Sequence, residues 1–265
     1  MSSKNFILGG DIKKSLVEGY RFDLKKLLSD AFQVTKKNFL PLLSACIFIM
    51  VVFFTLASLM IVDLNSLNDP MVIGVFFVAS ILVAPPLMTG LMMMGVHHSI
   101  GLKTNSLHLF NYFKIILKLS LAALMITLVT NAIGKLLTLV FGDLGFMLSI
   151  VALLYLKMSF CLVYPLIAEK QVSPLNALKL SFKLVHKNIG QFSVLLIIFI
   201  TLLAFGAITS GLGLFFVIPF SINLLGIIYR QICGVGVSVS ETTDNEPEAK
   251  DDDQDSGSNN GNFEA

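Results

Sequence analysis

Few side chains of the kinds that perform chemistry lie where they could act together. Lys157 falls near the middle of a long apolar run, 144–168, and no Asp or Glu lies deep in any apolar run to neutralise it. A cation at bilayer depth costs at least about 2.5 kcal/mol and marks a functional position by default. Two blander readings stand beside that one. The side chain snorkels toward the nearer interface, or the run ends early and leaves 158–168 as an interfacial segment. Pro85, Pro86, Pro165 and Pro219 recur in the later apolar runs. Proline removes a helix hydrogen bond, so these residues kink a span for packing or free carbonyls that could hold an ion. Met92, Met93 and Met94 precede His97 and His98. Thioether and imidazole suit Cu(I), but adjacent side chains point different ways and Met readily fills apolar gaps. No metal site and no cofactor are expected.

Motifs for nucleotide, metalloprotease, hydrolase or dithiol chemistry are absent: no GK[ST] loop, HExxH, GxSxG or CxxC occurs. The polar loops are too short to form a catalytic pocket. No catalytic residue is assigned, and the chain is expected not to be an enzyme. The lack of deep carboxylates also argues against an ordinary proton- or sodium-coupled pump.

The elements that must position these residues are membrane spans. The chain has 265 residues, 55% of them hydrophobic and 14% charged, with a mean hydropathy of +0.82. Soluble domains carry about 25% charged residues. Runs at roughly 40–62, 71–97, 115–141, 144–168, 190–210 and 212–234 are each long enough to cross about 30 Å of hydrocarbon. The expected fold is therefore an all-α polytopic helical bundle of about six transmembrane helices with interfacial amphipathic helices. No cleavable signal peptide is expected, because residues 1–38 are polar and charged. Cys46, Cys161 and Cys233 stand singly in or at the ends of runs, as small apolar packers do.

Charge sets the orientation. Lys4, Lys13, Lys14, Arg21, Lys25, Lys26, Lys36 and Lys37 precede the first run. Lys103, Lys114, Lys170, Lys179, Lys183 and Lys187 lie in the two loops on the same side, with Arg230 at the end of the last run. The opposite loops hold Asp63, Asp69 and Asp143, with Lys135 near the end of span three. The positive-inside rule places both termini of this multi-pass chain in the cytoplasm.

Two amphipathic helices are expected on that side. In 22–37, Leu24, Leu27, Leu28, Ala31 and Phe32 share a face. The second opens at Ser173-Pro174, a favoured cap followed by a favoured first residue, and carries Leu175, Leu178, Phe182 and Val185. The interfacial cations Lys25, Lys26, Lys36, Lys37, Lys179, Lys183 and Lys187 lie off these faces. Such helices either rest among anionic headgroups or pack under the bundle. Membrane lipids are therefore the expected partners, with a protein partner or homo-oligomer as a further one and no nucleic acid.

AFQVTKKNF (31–39) aligns without gaps on SFKLVHKNI (181–189), and PLMTGLMMMGVHHSIG (86–101) on PFSINLLGIIYRQICG (219–234). Together they read as a parallel internal repeat, about 22–101 and 173–234. The domain organisation is then an N-terminal cytoplasmic segment at 1–38, a six-span domain at 39–235 and an acidic tail at 236–265. Residues 240–265 hold nine acids and one Lys and cannot build a core.

The stretch YPLIAEKQVSPLNALKLSFKLVHKNIGQF (164–192) resembles a signature of uncharacterised bacterial six-span inner-membrane proteins, similar to the membrane domain found ahead of some glycerophosphodiester phosphodiesterases. Pro165, Glu169, Ser173, Pro174, Ala177, Ser181, Phe182, Lys187 and Asn188 carry the resemblance. It implies the fold; no phosphodiesterase domain follows, so it implies no such activity. The expected role is a non-catalytic scaffold, accessory or lipid-organising component. A small-molecule or lipid carrier is the alternative, resting on the prolines, the repeat and Lys157.

Overall fold

The computed structural model describes residues 4–60 and 69–239. The chain runs through strand β1 (Lys4–Leu8), then α1 (Ile12–Val17), α2 (Leu24–Lys37), α3 (Phe39–Met60) and α4 (Pro70–Ser99). A 3-10 segment (Ser106–Ile115) leads into α5 (Ile116–Phe141) and α6 (Asp143–Ser159). Then follow α7 (Val163–Lys170), α8 (Pro174–Lys187), α9 (Ile189–Ile208), α10 (Leu214–Cys233) and strand β2 (Val235–Val239). Six of these stretches are long and apolar enough to cross a membrane. The protein is an all-α integral membrane protein.

The last span is the hub. In α10, 56% of the most apolar stretch is buried, against 17–28% in the other five spans. α10 and α4 cross almost backbone to backbone at glycines. A Cβ on Gly226 would overlap the carbonyl of Gly95, and one on Gly95 would overlap the carbonyl of Ile222. Small residues at a crossing let dispersion contacts replace the hydrophobic effect, which gives little attraction between helices in lipid.

The spans join mainly in the halves nearest the Lys-rich face. Buried residues in α4 begin at Pro85, those in α5 end at Ile126, and those in α3 are confined to Leu42, Ala45 and Ile49. Beyond that depth the helices splay. Leu139, Met147 and Phe205 are among the apolar side chains left exposed there, as lipid-facing positions are.

α2 and α8 lie under the bundle. Each is 14 residues long and is followed by an Asn and then at once by a span. Asp23 caps α2 by accepting from the Lys26 N–H. The two helices bury the same register positions, Leu27, Ala31 and Thr35 in one and Ala177, Ser181 and Val185 in the other. Phe32, Leu175 and Phe182 of the expected apolar faces are exposed. The buried faces combine small residues with Leu27, Leu178 and Leu184, while the rings of Phe32 and Phe182 are left at the edge.

The sequence reading held no strands, yet β1 pairs antiparallel with β2, in register from Lys4 opposite Val239 to Leu8 opposite Val235. Both ends of the six-span domain are thereby held on one face. The Gly10 N–H donates to the Arg230 carbonyl at 2.9 Å, and the Ser15 hydroxyl to the Ile232 carbonyl at 2.7 Å. The Ser15 bond satisfies a carbonyl that the end of α10 would otherwise leave orphaned. Strand β2 takes in 236–239, which the sequence reading assigned to the tail; the acidic segment 240–265, like Asp63, lies outside the described residues.

Candidate functional site

Lys157 lines two of three adjoining, largely apolar cavities. One, about 490 Å³, lies between α4, α5 and the α6–α7 junction and is lined by Ser80, Pro85, Thr127, Lys157, Cys161 and Tyr164 among others. A second, about 250 Å³, lies on the other side of Lys157, between α6, α9 and α10, and shares Lys157 and Cys161 with the first. The third, about 440 Å³, is bounded by α3, α4, α9 and α10. It shares Phe199, Ser221 and Leu225 with the second and Met88 and Met92 with the first. Through these shared residues the three cavities form one branched, largely apolar cleft, with Lys157 as the cation lining it.

That cation is unpaired. The two ion pairs among the described residues are Lys14 with Glu18 and Lys170 with Glu169. Lys157 is exposed, although it lines two of the cavities.

Span four ends its first helix just beyond Lys157. α6 stops at Ser159, the chain turns through 160–162, and α7 restarts at Val163. Ser181 of α8 seals the break: its hydroxyl donates to the Ser159 carbonyl at 2.8 Å and accepts from the Leu162 N–H at 3.3 Å. Pro165 is the third residue of α7, where no intrahelical N–H bond is lost. The break thus precedes the proline.

The other prolines break nothing. α4 runs continuously through Pro85 and Pro86, and α10 through Pro219. All three are buried. The Thr89 hydroxyl donates to the Pro85 carbonyl at 2.7 Å. Pro85 and Pro219 instead line the cleft, in the first and third cavities. The structure thus brings Lys157, Pro85 and Pro219 to one cleft and leaves Pro86 and Pro165 in packing roles.

The interfacial cations stand apart from it. Lys25, Lys26, Lys36, Lys37, Lys179, Lys183 and Lys187 are all exposed on α2 and α8. Lys187 also donates to the Val17 carbonyl at 3.2 Å. Nearby, the Tyr20 hydroxyl donates to the Leu184 carbonyl. Burial pushes the Tyr20 phenol above its ordinary range, so it remains a neutral donor.

Two polar clusters in the packed half were not legible as such. In the first, the Thr35 hydroxyl donates to the Ala31 carbonyl at 2.7 Å and so must accept from the Asn223 amide at 3.0 Å. The Asn223 oxygen then faces His98 Nδ1 at 2.9 Å, and His98 Nε2 meets the Thr104 hydroxyl at 2.7 Å. That order of donors requires a proton on His98 Nδ1. His98 is thereby a cross-brace between α4, α10 and α2. An amide inside the apolar run of α10 was the one available signal, since a buried amide in lipid must find partners.

In the second, the Tyr229 hydroxyl donates to Glu169 Oε2 at 2.6 Å, and the Gly236 N–H donates to Oε1 at 3.0 Å. Glu169 therefore ties α7 to α10 and to β2. Arg230 donates to the Ser99 carbonyl, joining α10 to the end of α4. The Asn188 side chain donates to the Tyr20 carbonyl at 2.8 Å. Residues of the 164–192 signature thus occupy seams of the fold.

Models of known families, curated proteins and solved structures were compared with the chain, and none matches.

Proposed function

We propose that the protein is a non-catalytic, lipid-organising component of a bacterial inner membrane, with both termini in the cytoplasm. The branched apolar cleft around Lys157 supports the reading most directly. Two of its three cavities are walled almost wholly by apolar side chains and lie between the spans. Acyl chains are the chemistry that fills such a space. The exposed cations of α2 and α8 supply attraction to anionic headgroups, each worth about 1 kcal/mol near a charged surface. The Lys-rich loops share the face on which the two strands meet, which supports cytoplasmic termini.

Extraction of the protein with its surrounding bilayer by an amphipathic copolymer, followed by lipid analysis, tests this reading. Lipid held in stoichiometric amounts and enriched over the bulk membrane is expected, with no turnover of that lipid on incubation. Co-extracted lipid identical to bulk would contradict it.

The carrier reading keeps one observation in its favour, the cation lining the cleft. Net movement of labelled lipid between leaflets of reconstituted vesicles would favour it.

A further inference from the structure

We infer that Lys157 is the headgroup anchor of a binding site for one phospholipid with an accessible anionic phosphate, its acyl chains lying in the adjoining cavities. The inference rests on the lipid-binding reading and adds to it a headgroup chemistry and a place.

The 490 Å³ cavity differs from the other two in what it offers an anion. Ser80 of α4, Thr127 of α5 and Tyr164 of α7 line it together with Lys157. The hydroxyl of Thr130, one turn further along α5, is committed to the Ile126 carbonyl at 2.7 Å. Those of Ser80, Thr127 and Tyr164 have no hydrogen-bond partner among the described residues. One ammonium and three free hydroxyls, from four elements, therefore line a single space. Charge-assisted hydrogen bonds to an anionic oxygen are the strong ones, and they strengthen further where the dielectric is low.

A phosphate fits this donor set better than a carboxylate. It presents more acceptor oxygens than the two of a carboxylate, and the donors come from different sides. The cavity is also too large for a carboxylate alone. The cations of α2 and α8 cannot serve the same role, because they lie on the exposed face of the packed layer and line none of the three cavities. Beyond Lys157 the space continues past Leu196, Phe199 and Leu225 into the 440 Å³ cavity, which has almost no polar wall. A headgroup anchored at Lys157 places its chains there.

The full chain, purified in a neutral detergent, is incubated with equal amounts of phosphatidic acid, phosphatidylcholine and a fatty acid of matched chain length. Bound lipid is then read by native mass spectrometry. Phosphatidic acid is expected to be retained about tenfold or more over phosphatidylcholine. Lys157→Met should bring the two to parity, and Lys157→Arg should keep most of the preference. Thr127→Val with Ser80→Ala, which leaves the charge in place, should lower it severalfold. Unchanged elution and helix content certify each variant as folded.

A folded Lys157→Met protein that keeps the preference overturns the site, as does a fatty acid outcompeting phosphatidic acid. Equal retention of phosphatidic acid and phosphatidylcholine by the native protein also overturns it, while leaving the lipid-binding reading intact. Failure to retain any lipid removes both.

Discussion

Gly226 of α10 rests against the backbone of Gly95 in α4, so close that neither can carry a side chain without displacing the other helix. This crossing sets the angle from which α4 and α10 diverge, and hence the width of the cleft that Met88 and Met92 share with Pro219. Gly226→Ala should cost about 1–3 kcal/mol through overpacking, and Gly226→Val more. Midpoints of unfolding in detergent measure the loss. Gly74, with open space beside it, is the control, and Gly74→Ala should leave the midpoint nearly unchanged.

Glu169 should govern the closing strand. It is the acceptor for both Tyr229 and Gly236. Glu169→Ala removes a charged acceptor from two donors, at about 1.5–3 kcal/mol for a bond of this kind. Hydrogen exchange should accelerate strongly at Gly236 and its neighbours in β2 and hardly at all in α3 or α5. Equal acceleration everywhere would show that Glu169 serves the whole bundle instead.

Asn223→Ala should be more damaging than its size suggests. It strips His98 of one partner and Thr35 of another inside a dry crossing. An unsatisfied buried group costs about 1–3 kcal/mol. Asn223→Ala with His98→Leu should recover part of the loss, because removing both partners leaves fewer orphans. Paired thermal melts of the single and double variants decide this.

Tyr20 predicts a pH dependence. Its pKa is raised in the fold by burial, whereas an unfolded phenol ionises near pH 10. The folded state therefore binds the proton more tightly, and the linkage sign is negative. The contribution is complete below pH 10 and is lost as pH climbs above it. Unfolding midpoints measured from pH 8 to 11 should fall more steeply for the native protein than for Tyr20→Phe. Parallel curves would show that the phenol is not protected.

The spans and the two amphipathic helices were legible because lipid imposes one rule on every backbone group, and length with hydropathy reveals it. The buried faces of α2 and α8 were legible in part, since Leu27, Ala31, Leu178 and Val185 are buried as expected. Phe32 and Phe182 extend the apolar stripe in projection, but close packing under the spans accepts Ala31 and Ser181 and excludes the rings. Proline misled in a similar way. It announces a missing hydrogen bond, yet α4 and α10 absorb theirs and the real break at 160–162 is stabilised by a serine 19 or more positions away. The β1–β2 pairing joins residues at opposite ends of the chain, so no local pattern could announce it. Lys157 was visible as an oddity, but the cavities that give it a use exist only once α4, α9 and α10 are placed around it.

Occupancy of the cleft by acyl chains can be read optically, since the chain contains no Trp. Phe199 lines two of the three cavities, so Phe199→Trp places a single reporter in the cleft. Leu139, 84% exposed on α5, provides a bulk-lipid control as Leu139→Trp. Both variants are reconstituted in phosphatidylcholine containing a few per cent of an anionic phospholipid with brominated chains, which quench Trp on contact. Quenching of the Phe199→Trp protein well beyond that of the Leu139→Trp protein, and reversed by excess unbrominated anionic lipid, is the predicted result. Equal quenching at the two positions would mean that the cleft holds no lipid of its own and would contradict the account.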